Sequence, residues 1–328
     1  MVRHLCIAFL LGSALFAAAQ DEELNFFKPA GTLALNGVAG RIDHLAVDLH
    51  GKRLFVAALG NNTAEILDLS TGKTLHRVAN LSEPQGVAYI PGLNRLLIAN
   101  GDDGSLRIFD AQTFQQLHRV DLKGDADNLR CDAAAQHIYV GYGKGALGIM
   151  DAGGKMLGNV ELPGHPESFQ LEKNGPRIFV NVPTAGAVVV VDRVKQAIVA
   201  KWPTAEFEAN YPMALDEANQ RLFVVTRKPA RLLVMDSRSG RRIAVLPCVG
   251  DADDVFYDSV RKRIYVTGGE GFLTVFEQRA ADQYKEIAKV GTAPGARTSL
   301  WVQELNRLYV AVPKRGRQRA EIRLFEAQ

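Results

Sequence analysis

A near-copy of one stretch, 126 residues further on, constrains this chain more than any other feature. Gly124-Asp125-Ala126-Asp127 through Ile138-Tyr139-Val140 returns as Gly250-Asp251-Ala252-Asp253 through Ile264-Tyr265-Val266. The offset is three times 42, and a unit of that length recurs along most of the sequence. Its anchor is a short apolar run such as Arg53-Leu54-Phe55-Val56 or Arg263-Ile264-Tyr265-Val266. The anchors are Leu54, Leu96, Ile138, Ile178, Leu222, Ile264 and Leu308, spaced by 42, 42, 40, 44, 42 and 44 residues. Length alone would argue for two domains, but regular repetition overrides that prior.

Each unit reads as four short strands. A polar loop leads into an inner strand, an acidic turn follows, and the anchor forms the second strand. A third strand comes next, often closed by an acid, as in Glu65-Ile66-Leu67-Asp68 and Leu233-Val234-Met235-Asp236. A turn such as Ser70-Thr71-Gly72-Lys73 then opens a fourth strand, Thr74-Leu75-His76-Arg77-Val78. Strands of this length, rich in Val, Ile, Leu, Phe and Tyr and punctuated by Gly, Asp and Asn, argue for an all-β chain. Four strands in about 42 residues describe a propeller blade, so seven anchors predict a seven-bladed β-propeller. After Leu308 only a third strand, Glu321–Phe325, remains; the missing fourth is expected from Gly31–Asn36, closing the ring and covering a strand edge. The propeller domain is therefore expected over residues 31–328, preceded by an extension over 20–30.

Ahead of these, Arg3, an apolar run from Leu5 to Phe16 and Ala17-Ala18-Ala19 read as a secretory signal over residues 1–19. The run is shorter than the ~20 residues a membrane-spanning helix needs. A periplasmic or extracellular protein is expected, with no transmembrane segment after cleavage, and a monomer. Cys131 and Cys248 fall in different strands two blades apart, so two buried thiols are expected and no disulfide or Cys-based metal site.

The Tyr265-Val266-Thr267-Gly268 run, and Tyr-Val or Phe-Val pairs in most other units, resemble the repeats of YncE-type (YVTN-repeat) secreted bacterial propellers. The likeness spans nearly all of the expected mature chain. Leu97-Ile98-Ala99 and Phe223-Val224-Val225 depart from it. The resemblance implies a secreted propeller; its motif is structural and assigns no activity, though nucleic-acid binding has been suggested for some members of that group.

Candidate chemistry gathers eleven residues before each anchor, where a propeller places the loop entering the inner strand. The seven residues there are Asp43, Gln85, Asp127, Glu167, Tyr211, Asp253 and Arg297. The next position adds His44, Asn128 and Asp254. These side chains are expected to converge at one mouth of the central channel. Carboxylates crowded together raise one another's pKa or hold a cation, and an oxygen-rich set suits a hard ion such as Ca²⁺. The competing reading is turn chemistry, because Asp and Asn bond nearby amides and Asp48, Asp132, Glu172, Asp216 and Asp258 already sit in turns. His44 and His165 approach the mouth from different blades, but spacing alone makes a poor case for a metal pair. Tyr89, Tyr257 and Trp301 share one inner-strand position and are expected to pack between blades.

Other signals exclude more than they assign. A formal charge of +3 is too small to argue for nucleic acid or membrane. Arg227, Lys228 and Arg231, with Lys314, Arg315, Arg317 and Arg319, form two basic loops that suit an anionic group; few aromatics accompany them, so nucleic acid is not the expected partner. Gly143-Lys144-Gly145-Ala146-Leu147-Gly148 matches a dinucleotide fingerprint by letter but joins two strands. The expected function is a binding or scaffold protein taking a small molecule, protein or peptide at the channel mouth, with no catalytic residue assigned. The alternative is a lactonase-like or other propeller hydrolase, with a mouth carboxylate or His44 as general base and Arg297 or a bound cation stabilising the oxyanion. A second alternative is nucleic-acid contact through the basic rim.

Overall fold

The computed structural model describes residues 26–328. The leader expected over residues 1–19 lies outside the described residues, as does the start of the 20–30 extension. The described chain forms seven four-stranded antiparallel sheets, and each anchor lies in the second strand of its sheet. The first blade shows the pattern: Leu45–Asp48 inside, then Arg53–Ala58, Thr63–Asp68 and Thr74–Val78 outward. Inner strands of neighbouring blades touch around the circle, and the seventh (Ser299–Val302) returns to the first (Leu45–Asp48). The chain is a seven-bladed β-propeller.

Packing between blades supplies the core. The middle strands bury almost every apolar side chain, including Phe55, Tyr139, Phe179, Phe223, Tyr265 and Tyr309. Inner-strand aromatics meet second-strand aromatics across the seams: Tyr89 on Phe55 at 5.5 Å, Tyr257 on Phe223 at 5.3 Å, Trp301 on Tyr265 at 5.0 Å. These three residues pack as their sequence position predicts. Offset and edge-on geometries of this kind suit the ring quadrupole.

The arginine that opens most anchors ties its blade to the next. Arg95 donates to the Ala152 carbonyl at 2.7 Å, Arg177 to Ser237 at 2.6 Å and Arg263 to Gln328 at 2.6 Å; Arg53 and Arg221 reach Ala111 and Ala281 likewise. The turn acids complete the device. Asp48 receives Arg53, and Glu172 receives both Nε and Nη2 of Arg177. Acids that close third strands serve as turn caps. Asp68 accepts the amides of Ser70 and Thr71, and those amide bonds hold its carboxyl below the usual range.

Closure uses both ends of the described chain. Phe27–Ala34 pairs antiparallel with Glu321–Ala327, becoming the fourth strand of the last blade. The strand begins at Phe27, four residues before the Gly31 at which likeness to Thr74–Val78 becomes visible. Gly31, at φ 122°, follows an irregularity in the register after Pro29. Phe27 is fully buried against Tyr265, Trp301 and Phe325, with ring centroids at 4.9, 6.4 and 6.4 Å.

Cys131 and Cys248 are free thiols, half-buried rather than fully buried, and burial raises their pKa values to about 11 and about 12. Among the described residues no helix is long and apolar enough to cross a membrane.

Candidate functional site

The seven loops entering the inner strands bring their side chains to one end of the channel. Asp43, Gln85, Asp127, Glu167, Tyr211, Asp253 and Arg297, one from each blade, line a cavity of about 280 Å³. His44 joins them there. Blades approach so closely at this level that side-chain space runs out: a Cβ on Gly86 would lie 2.1 Å from the Asp127 carbonyl oxygen, so only glycine fits beside that loop.

Four further residues line the cavity: Arg41, Asp125, His165 and Arg227. Arg41, Asp125 and His165 share one repeat position, thirteen residues before their anchors, and Asp125 is matched by Asp251 in the near-copy. His165 and Arg227 are visible in the sequence as an isolated histidine and a basic-loop residue. Asn128 and Asp254 sit one step further into the channel. Asn128 is buried, its Oδ1 3.4 Å from Nη1 of Arg130. Asp254 accepts the Ser299 amide at 2.7 Å and lines the next cavity down. A larger cleft, about 440 Å³, lies at the outer edge beside Asn36, Lys73 and Arg77 and gathers no acids.

The mouth acids are not turn caps. Among the described residues, none of Asp43, Asp127, Glu167 and Asp253 accepts a backbone amide. Asp43 receives Nη2 of Arg41 at 2.7 Å, and Asp253 receives Nη2 of Arg227 at 2.5 Å. The second oxygen of Asp253 is buried with no hydrogen-bond partner. Arg227 also stacks over Tyr211, 4.2 Å from the ring centroid, and Arg297 reaches Asp251 at 2.9 Å. Arg227 of the expected basic loops and Arg297 of the mouth positions are therefore committed to carboxylates around the mouth.

Crowding separates the proton affinities of these groups. Burial raises Glu167 to about 8, reinforced by the negative charge of Asp127. Burial also lifts Asp254 to about 7 and Asp253 to about 6, the latter opposed by Arg227. Burial pushes Asp127 the same way, but the nearby His165 ring and the charges of His44 and His165 bring it below the ordinary value. Burial disfavours the cationic form of His165, yet Asp127, the Gly143 carbonyl and Asp125 more than compensate, and its pKa rises. His44 is raised too, against burial, by Asp43 and Asp254, which lie 3.7 and 3.8 Å from its ring nitrogens.

One trio has the geometry of a cation seat. Asp127, His165 and Glu167 each offer a ligand atom, all within 4.8 Å of one another. Nδ1–H of His165 donates to the Gly143 carbonyl at 2.6 Å, which turns Nε2 towards Asp127 and Asp125, each at 3.8 Å. A backbone bond on the far nitrogen is how a ligating histidine is usually oriented. One imidazole with two carboxylates suits a divalent transition ion better than the oxygen-only set expected from the ring positions.

No protein-family model matches the chain. A stretch of 121 residues, 37% of the chain, is 24% identical to THO complex subunit 3 of Arabidopsis thaliana and spans 38% of that protein's length. Two solved structures share the fold. Hydrazine synthase of Kuenenia stuttgartiensis superposes with a TM-score of 0.74 at 16% identity, covering 86% of this chain and 96% of that one. The WD40 repeats of RRP9 superpose with a TM-score of 0.78 at 11% identity, covering 92% and 98%. At these identities the likeness concerns architecture alone.

Proposed function

We propose that this chain is an exported binding protein whose channel mouth seats a positively charged centre between Asp127, His165 and Glu167. One observation carries the reading: carboxylates from four blades enter one cavity without being used up on turn amides. The repeat could bury apolar residues at these positions at less cost. A bound cation would offset the burial and the neighbouring Asp127 charge that keep Glu167 protonated near neutral pH. The centre is a divalent ion or the ammonium group of a small molecule. The export part of the proposal rests on the leader-like residues 1–19 and on the YncE-type resemblance.

Isothermal titration of the purified protein with Mn²⁺, Zn²⁺, Ca²⁺ and alkylammonium salts separates the two sources. Binding of one class, with release of a proton and loss in Asp127→Asn and Glu167→Gln, supports the seat. Absence of binding by every cation, or unchanged binding in both variants, overturns it.

A second reading, a hydrolase, gains one specific support. A protonated Glu167 beside an ionised Asp127 is the pairing that general acid–base chemistry uses. Lactone or ester turnover that disappears in Glu167→Gln would favour it over simple binding.

A further inference from the structure

Eight residues before each anchor lies the position whose backbone pairs with the residue following the anchor in every blade. Around the ring it reads Ala46, Ala88, Arg130, Gln170, Ala214, Phe256 and Leu300. Five of the seven are apolar and Arg130 is the one charge, in a layer below the acidic mouth. A cavity of about 200 Å³ opens at this level, walled by inner strands of the third to seventh blades. Arg130, Gln170, Met213, Phe256 and Trp301 line it, with Asp254 above.

Arg130 is poorly provided for. Its Nη1 donates to the carbonyl of Leu129 at 2.7 Å and, at 3.4 Å, to Asn128 Oδ1, its Nη2 to Ser168 Oγ at 3.2 Å, and it lies 5.4 Å from the centroid of Phe169. Among the described residues no carboxylate comes within ion-pairing distance of it. Burial lowers its pKa, yet a guanidinium keeps its proton. The repeat would accept alanine here, as three other blades do. A half-buried charge without an ion-pair partner is under-compensated until something pairs it.

We propose that the lower channel is a second binding site, which takes the carboxylate of a small organic acid on Arg130. The guanidinium fork matches a carboxylate in shape and charge. One cation balances one negative charge, and Asp254 above would repel a dianion such as phosphate. Phe256, Met213 and Trp301 offer the acid's hydrocarbon part an apolar wall. The site is separate from the cation seat: none of Asp127, His165 and Glu167 lines it.

Trp202 and Trp301 are the two tryptophans, so Trp202→Phe leaves Trp301 as the sole indole reporter. Its fluorescence, titrated with benzoate and hexanoate, should change saturably. Hexanol and inorganic phosphate should bind weakly or not at all. Adding Arg130→Gln should weaken carboxylate binding about tenfold or more, the loss of a charge-assisted hydrogen bond, and Arg130→Lys should recover part of it. The titration is run without added divalent cation, so its outcome does not depend on the cation seat and separates failure here from failure of the mouth. Should Arg130→Gln fold badly, thermal melting of the unsubstituted protein decides: carboxylates must raise the midpoint with concentration. No response to either acid, equal binding by Arg130→Gln, or tighter binding of phosphate than of benzoate each overturns the proposal.

Discussion

Asp253 takes a hydrogen bond from Arg227, 2.5 Å from Oδ1 to Nη2, and keeps its other oxygen buried without a partner. The pair joins the fifth blade to the sixth at the lip of the mouth, with Tyr211 stacked beneath the guanidinium. Removing one partner strands the other. Arg227→Gln should therefore destabilise the fold by about 2–4 kcal/mol, because it leaves a desolvated carboxylate. Adding Asp253→Asn should recover part of that loss. Urea denaturation of the two single variants and the double variant checks the coupling; purely additive losses would mean that the two side chains act independently.

Stability should fall as pH rises from about 5 to 9. Glu167 titrates near 8 in the folded chain against an ordinary value of 4.5, so the folded state alone holds its proton between those values. The state that binds more protons loses ground as protons are withdrawn. Asp254, raised from 3.8 to about 7, acts with the same sign. So does His165, whose contribution is complete below 6.5 and is lost as pH passes its raised folded value. Glu167→Gln should flatten the profile and melt higher at pH 8.5, by roughly 2–4 °C for each kcal/mol relieved. An unchanged slope in calorimetric scans across this range would show that Glu167 is not the source.

Phe27→Ala should cost about 3–5 kcal/mol, the usual penalty for emptying a buried aromatic site. Its ring touches Tyr265 in the sixth blade and Trp301 and Phe325 in the seventh. Deleting the described chain up to Ala34 should do more, exposing the edge of Glu321–Ala327 and driving self-association. Chemical denaturation measures the first effect and light scattering the second. A monomeric truncated protein of full stability would show that the seam is not needed.

The fold is legible in the sequence because the repeat is written in residues whose roles are local. Arg, a branched or aromatic pair and a closing acid recur at fixed intervals, and each has one structural reason in most blades. The mouth is half legible. Residues such as Asp43, Asp127 and Asp253 can be found by counting back from the anchors, since strand register carries them to the same height. Arg41, Asp125 and His165 lie two residues earlier, at a position that reads Arg, Glu, Asp, His, Ala, Asp and Gly around the ring, so counting finds them but no common chemistry marks them for the mouth. Counting places Asn128 and Asp254 at the mouth as well, yet a single residue along an inner strand moves a side chain down the channel. Arg130 shows the limit most clearly: counting eight back from each anchor gives counterparts that are mostly alanine, phenylalanine and leucine, but the sequence does not show that this level opens on a cavity. The start of the closing strand is hidden for another reason, since Phe27 precedes the part that resembles other fourth strands.

The seam between Phe27–Ala34 and Glu321–Ala327 also sets a timetable. The first of the described strands is the last to find its partner, because that partner is made only after six blades and most of a seventh. Until then Phe27 waits without its pocket, and the blades already made form an open arc with two raw flanks. Closing the ring therefore waits for the last blade, and a helper that shields the early strand would act on yield without touching the finished protein.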